Sequence, residues 1–115
     1  MKKSILITGT NSGFGNLMVK TLAKDGHTVF ATMRGVDGKN KKDAEELTSW
    51  AKEHKYDVHV LEMDVTDEKS VNAAVNKAAH TAGKIDVVVN NAGLGVMGIL
   101  EAVTIEQLKQ QIHVI

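Results

Sequence analysis

Thr8-Gly9-Thr10-Asn11-Ser12-Gly13-Phe14-Gly15 stands between a short apolar run, Ser4 to Thr8, and a stretch of helical period from about Phe14 to Asp25. Glycines at a strand-to-helix turn permit a tight reversal and a close approach of backbone to a ligand. The exposed N–H groups that open the following helix, together with its dipole, suit a pyrophosphate. A glycine-rich turn can also be purely structural, and this spacing differs from the commonest dinucleotide fingerprint, so its position and company must decide.

Outward from that turn, apolar runs of strand length alternate with stretches of helical period, the signature of stacked βα units on a parallel sheet. The first helix carries Phe14, Leu17, Met18 and Leu22 on its apolar face and stops at Gly26. Thr28 to Met33 forms the second strand, and Arg34 to Lys42 a loop rich in glycine and lysine. A helix from about Asp43 to Glu53 follows, burying Ala44, Leu47 and Ala51. Val58 to Met63 is the third strand. Asp64-Val65-Thr66 then leads into a helix with Thr66 as its expected N-cap and Asp67 and Glu68 at its positive end. Val71, Ala74, Val75, Ala78 and Ala82 face inward on it, and Gly83 ends it. The fourth strand, Ile85 to Val89, is a continuous apolar run typical of a parallel strand covered on both faces, and it enters Asn90-Asn91-Ala92-Gly93 directly. Thr104 and Gln107 make a capping-box pair for a last helix, with Val103 and Leu108 as its hydrophobic staple.

A chain of 115 residues suffices for one core, and a domain of this size buries roughly two-thirds of its unfolded surface. Fourteen basic and fourteen acidic residues give no net charge, so nucleic acid and anionic membrane exert no general attraction and an anion must be held by local geometry. The absence of cysteine excludes disulfides, thiolate metal sites and a cysteine nucleophile. The five histidines lack ligand spacing and read as surface or satisfied core residues, and no metal is expected. The basic start breaks at Thr8-Gly9 without a cleavage region, and no segment approaches a membrane span, which makes the cytoplasm the default location.

Three motifs occur in order: Thr-Gly-x-x-x-Gly-x-Gly at residues 8–15, Asp64-Val65-Thr66, and Asn90-Asn91-Ala92-Gly93. In this the chain resembles the short-chain dehydrogenase/reductase family, and the likeness extends to Gly98 and Glu101. The resemblance implies an α/β fold, a Rossmann-type doubly wound parallel sheet, incomplete here with about four strands and flanking helices. Residues 1–115 would be a partial dinucleotide-binding domain whose C-terminal catalytic half is absent. It implies that Gly9, Thr10, Asn11, Ser12, Gly13, Phe14 and Gly15 cradle the pyrophosphate, that Asp64 and the backbone of Val65 hold the adenine, and that Asn91, Ala92 and Gly93 line the ribose. The bland readings are helix capping for Asp64 and a turn for Asn90-Asn91.

Dinucleotide folds place an acidic residue at the end of the second strand for the 2′-hydroxyl of NAD, or an arginine nearby for the 2′-phosphate of NADP. Here the pair is Met33-Arg34, with Lys39, Lys41 and Lys42 adding positive charge, so NADP is favoured over NAD. A solvated loop arginine is the alternative, and the family's other NADP mark, a basic residue before the second motif glycine, is replaced by Ser12. The family's chemistry uses a tyrosine activated by a lysine four residues later, with an assisting serine and asparagine. Tyr56 is the only tyrosine, Val60 stands where the lysine would be, and the asparagine position falls on Ile115.

The expectation is therefore an NAD(P)-dependent oxidoreductase, transferring hydride between nicotinamide and a carbonyl or alcohol, of which this chain binds cofactor only and is inactive alone. A small-molecule substrate belongs to a full-length parent. A gene product shortened by frameshift or by design is favoured over a natural short chain. The alternative function is a non-catalytic dinucleotide-binding or interaction module. A methyltransferase is weaker, because its nucleoside meets a carboxylate where Met33 stands. Cut after its fourth strand, the sheet is expected to leave Val87-Val88-Val89 as an open edge prone to self-association.

Overall fold

The computed structural model describes residues 2–11, 13–91 and 98–101. Its elements run β1 (Ser4–Ile7), α1 (Gly13–Lys24), β2 (Thr28–Met33), α2 (Lys41–His54), β3 (Val58–Glu62), α3 (Glu68–Ala82), β4 (Val87–Asn90) and β5 (Gly98–Glu101). The sheet order is β3-β2-β1-β4-β5; β1 to β4 are parallel and β5 is antiparallel to β4. The expected α/β, Rossmann-type arrangement is present.

Strand periodicity divides the core into two layers. Ile5, Ile7, Val29, Ala31, Met33 and Val89 face α1 and α2, where they meet Val19, Ala23, Ala44 and Leu47. Leu6, Phe30, Leu61 and Val88 face the opposite way, onto Val71, Ala74, Val75 and Ala78 of α3. The chain moves outward from β1 to β3 and then returns past β1 to β4. A crossover of constant hand that reverses direction must use the other face of the sheet, which is why α3 lies opposite α1 and α2. Every residue of β1 and β2 is buried, as expected for strands covered on both sides.

Three expectations need correction. The side of α1 that meets the sheet is Gly15, Val19 and Ala23, with Met18 and Leu22 only partly buried; Phe14 is 71% and Leu17 59% exposed. The buried stripe is turned by roughly a third of a revolution from the expected face, because this helix lies so close to the sheet that only small residues fit beneath it. The N-cap of α3 is Asp67, not Thr66. Asp67 has extended backbone angles, and its Oδ1 accepts from Lys69 N at 3.0 Å and Ser70 N at 3.5 Å, whereas the Thr66 hydroxyl donates to Asp64 Oδ1. On α3, Ala82 packs against the core as expected though only partly buried, and Ala79 joins the buried residues of that stripe. Finally, β4 is not an open edge: Val87, Val88 and Val89 pair with Glu101, Leu100 and Ile99, which removes the ground for self-association through that strand. The expected last helix, with its Thr104–Gln107 pair, lies outside the described residues.

Candidate functional site

The order β2-β1-β4 makes the gap between β1 and β4 a point where successive connections leave in opposite directions, and in open α/β sheets ligands bind outside the carboxyl ends of the strands there. A cleft of about 410 Å³ opens at that end. Its walls are Gly9 and Asn11 after β1, Met33, Arg34, Lys39 and Asn40 after β2, Met63 to Thr66 after β3, and Asn91 after β4.

The turn after β1 depends on glycine. Gly9 and Gly13 have φ of +65° and +63°, a region that disfavours any Cβ. At Gly15 the demand is space: a Cβ would stand 2.2 Å from the Gly9 carbonyl oxygen and 2.6 Å from Asn91 Nδ2. The start of α1 thus rests directly on the turn, and a helix N-terminus favours an anion. Around it, Thr10 N and Oγ1 both donate to the Thr32 carbonyl at 3.1 Å, Thr32 Oγ1 donates to the Ile7 carbonyl at 3.0 Å, and Asn16 Nδ2 donates to the Thr10 carbonyl at 3.2 Å. Asn91 ties the end of β4 to the same turn, its backbone N donating to Thr8 Oγ1 at 2.9 Å and its Nδ2 to the Gly9 carbonyl at 3.1 Å.

Asp64 supplies the carboxylate of the cleft. Hydrogen bonds from the Thr66 hydroxyl (2.6 Å) and then the Thr66 backbone N (3.0 Å) hold its carboxyl below the ordinary value; slight burial opposes them and the Arg34 charge assists. Both bonds use Oδ1, so among the described residues Oδ2 is left to accept. Arg34 is exposed at the end of β2, and its own carbonyl accepts from Asn40 Nδ2 at 2.7 Å.

Gly9, Asn11, Arg34, Asp64, Val65 and Asn91, named from sequence, therefore share one cleft. Thr10, Gly13 and Gly15 shape the turn after β1 and the start of α1 and are not among the cleft walls. Phe14 is exposed on α1 and is not among the cleft walls, and Ser12, Ala92 and Gly93 lie outside the described residues. Asn40 and Glu62 were not foreseen. Glu62 takes its place from the register Met33↔Glu62 and Asn40 from the closure of the loop, neither of which a motif encodes. Tyr56 precedes β3 and packs on Trp50 and His54, with ring centroids 5.1 and 5.5 Å away. It stands at the opposite end of the strand from the cleft. Among the described residues, no helix is long and apolar enough to cross a membrane, and no group of three or more His, Cys, Asp or Glu could hold a metal.

The backbone cradle that a Cβ would fill and the open acceptor of Asp64 fit a dinucleotide, and comparison with known proteins agrees. The family model described as short chain dehydrogenase matches residues 3–115. The chain is 37% identical over 109 residues to 3-ketodihydrosphingosine reductase of Bacteroides thetaiotaomicron, an alignment covering 95% of this chain and 35% of that protein. It is 38% identical over 112 residues to the uncharacterized oxidoreductase YusZ of Bacillus subtilis, covering 96% and 38%. Among solved structures, menthone neomenthol reductase from Mentha piperita superposes with a TM-score of 0.70 at 34% identity, over 82% of this chain and 32% of that one. The chain thus spans about a third of the length of these relatives. From the three motifs, the cleft they build at the switch point and a family match over almost every residue, the chain belongs to the short-chain dehydrogenase family of oxidoreductases.

Proposed function

We propose that this chain is the cofactor-binding part of an NADP-preferring oxidoreductase, binding the dinucleotide and leaving the acid–base chemistry to residues outside residues 1–115. The observation that carries this reading is the convergence on one cleft of Gly9 and Asn11 from the glycine turn, the Asp64 carboxylate and the Arg34 and Lys39 cations, with Met33 in place of a carboxylate at the end of β2. In this reading the turn from Gly9 to Gly15, with Ser12 and Phe14, and the start of α1 hold the pyrophosphate. Asp64 Oδ2 accepts from the adenine amine while the backbone of Val65 lies along its edge. Asn91, Ala92 and Gly93 line the ribose, and Arg34 meets the 2′-phosphate. When bound, the cofactor supplies hydride exchange with a carbonyl or alcohol.

Protonation of an alkoxide needs a positioned acid, and Tyr56 is held in an aromatic cluster at the wrong end of β3. That position also favours the second reading, a dinucleotide-binding module without catalysis. Calorimetric titration with NADP and NAD, followed by an absorbance assay with ketones and secondary alcohols, separates these readings. Saturable binding, tighter for NADP and without turnover, is expected of this chain. Tighter binding of NAD would overturn the preference, and turnover abolished by Tyr56→Phe would overturn the assignment of the acid to residues elsewhere.

A further inference from the structure

The loop joining β2 to α2, which carries Arg34 and Lys39 to the cleft, is held from two sides. Glu62 ends β3 beside Met33, and its carboxylate reaches across to that loop: Oε2 accepts from Gly35 N and Oε1 from Val36 N, each at 3.0 Å. On the other side Asn40 Nδ2 donates to the Arg34 carbonyl at 2.7 Å. Between these ties the loop closes on itself, the Gly35 carbonyl accepting from Gly38 N at 3.0 Å and from Asn40 N at 2.8 Å. Gly35 has a φ of +63°, and a Cβ there would stand 3.2 Å from Lys39 N, so Lys39 is folded back over the residue that follows Arg34. A lone carboxylate beside an anion site would oppose a phosphate. Here each oxygen of Glu62 is engaged by a backbone N–H, and what those bonds fix is the course of the chain on the C-terminal side of Arg34.

We propose that Glu62 is a positioning residue for cofactor selectivity: by clamping Gly35 and Val36 it holds Arg34 and Lys39 together as one preformed site for a ribose 2′-phosphate. This rests on the dinucleotide reading of the cleft and adds a determinant that touches no part of the ligand. A loop ordered beforehand spares the ligand the cost of ordering it. That advantage applies to a ligand carrying the 2′-phosphate and is absent for one without it.

The test uses Glu62→Ala and Glu62→Gln in the full chain, with adenosine 2′,5′-bisphosphate, NADP and NAD as probes. Glu62→Ala is expected to weaken the bisphosphate and NADP about five- to twentyfold while changing NAD less than about twofold. Glu62→Gln, which keeps one acceptor and turns an amide N–H₂ against the other N–H, should fall between. Hydrogen exchange in the ligand-free chain should accelerate at Gly35 and Val36 and stay unchanged in β1 and β2. Tighter NADP binding in Glu62→Ala would show that the carboxylate merely repels phosphate, and equal loss of NADP and NAD would show a merely structural role; either overturns the proposal, as does unchanged exchange at both amides. A wild-type chain that binds none of the three probes defeats the reading of the cleft itself, and it does so before any substitution is made.

Discussion

Replacing Gly15 by alanine adds one carbon atom at the place where α1, the turn after β1 and the end of β4 meet. That carbon would lie 2.2 Å from the Gly9 oxygen, 2.9 Å from its carbonyl carbon and 2.6 Å from Asn91 Nδ2, whereas real Cβ contacts stay above 3.0 Å. Two of the three obstacles are backbone atoms, so rotating a side chain cannot relieve the overlap and α1 must retreat. Overpacking of this kind costs about 1–3 kcal/mol, and loss of the Asn91–Gly9 hydrogen bond adds about 0.5–1.5 kcal/mol. Alanine's advantage over glycine inside a helix returns roughly 0.5–1 kcal/mol. The net, about 0.5–4 kcal/mol, corresponds to a fall in melting temperature of about 3–20 °C for a domain of this size. In the proposed reading the turn faces the pyrophosphate, which both cofactors share, so NADP and NAD should each weaken by about tenfold. Gly26→Ala is the control: its φ of +89° penalises alanine but nothing lies within 4 Å, so it should lower stability without altering nucleotide affinity. Scanning calorimetry and titration of the two variants side by side decide the matter. A Gly15→Ala chain that melts with the wild type and binds both cofactors normally would refute the close approach, and selective loss of NADP would refute the pyrophosphate assignment.

Arg34→Ala should weaken NADP about ten- to a hundredfold, from the roughly 1.5–3 kcal/mol of a charged hydrogen bond, and leave NAD nearly unchanged; competition binding checks it, high salt should narrow the difference, and equal losses would withdraw the NADP assignment. Asn91→Ala removes the bond from Nδ2 to the Gly9 carbonyl while keeping the backbone bond to Thr8, so about 1 kcal/mol of stability and a similar fraction of both affinities should be lost, measured by urea unfolding and titration. Acid should destabilise the fold. At Asp57 burial pushes the carboxyl up, but hydrogen bonds from Thr28, Lys2 and His59 together outweigh it, while Asp64 is lowered chiefly by Thr66 and Asp86 by the Ser4 backbone N. All three sit below their unfolded value, so the unfolded chain takes up protons first, and stability present at neutral pH is lost from about pH 5 downward. Urea midpoints that stay flat or rise over that range would contradict the sign.

The four parallel strands were legible because each is an apolar run bounded by polar or glycine residues, and their ends fell within two residues of the expected positions, whereas β5 was not foreseen. The glycine turn was legible because backbone geometry restricts the residue types that can stand there; Asp64 and Asn91 were named only through the family resemblance. The buried side of α1 was not, since periodicity weights large apolar residues and the sheet selected small ones at Gly15, Val19 and Ala23. Likewise Thr66 and Asp67 are both good caps by type; the choice between them was made by Asp64, which draws the Thr66 hydroxyl away. Met33 marks the end of β2 in sequence, yet its side chain is 1% exposed and belongs to the core facing α2. A carboxylate placed there would meet that core as well as the cleft, which makes Arg34 the cleaner position at which to test cofactor choice.

The site separates two tasks by the kind of atom that performs each. The position proposed for the diphosphate is made largely of main chain: Gly9 and Gly13 supply the turn, Gly15 lets the helix approach, and Asn91 fastens the turn to β4. Its geometry carries no preference between cofactors that differ only at the 2′ oxygen. In the proposed reading preference would reside in side chains after β2, where Arg34 and Lys39 are exposed and their loop is tied by Glu62 and Asn40. Changes in the first group should therefore move both affinities together, and changes in the second should move their ratio. The aromatic cluster around Trp50 belongs to neither, because α2 ends and β3 begins at the amino edge of the parallel strands while every cleft residue follows a carboxyl end. A tyrosine fixed there cannot reach a ligand at the other end of a five-residue strand, some 17 Å away at about 3.3 Å per residue.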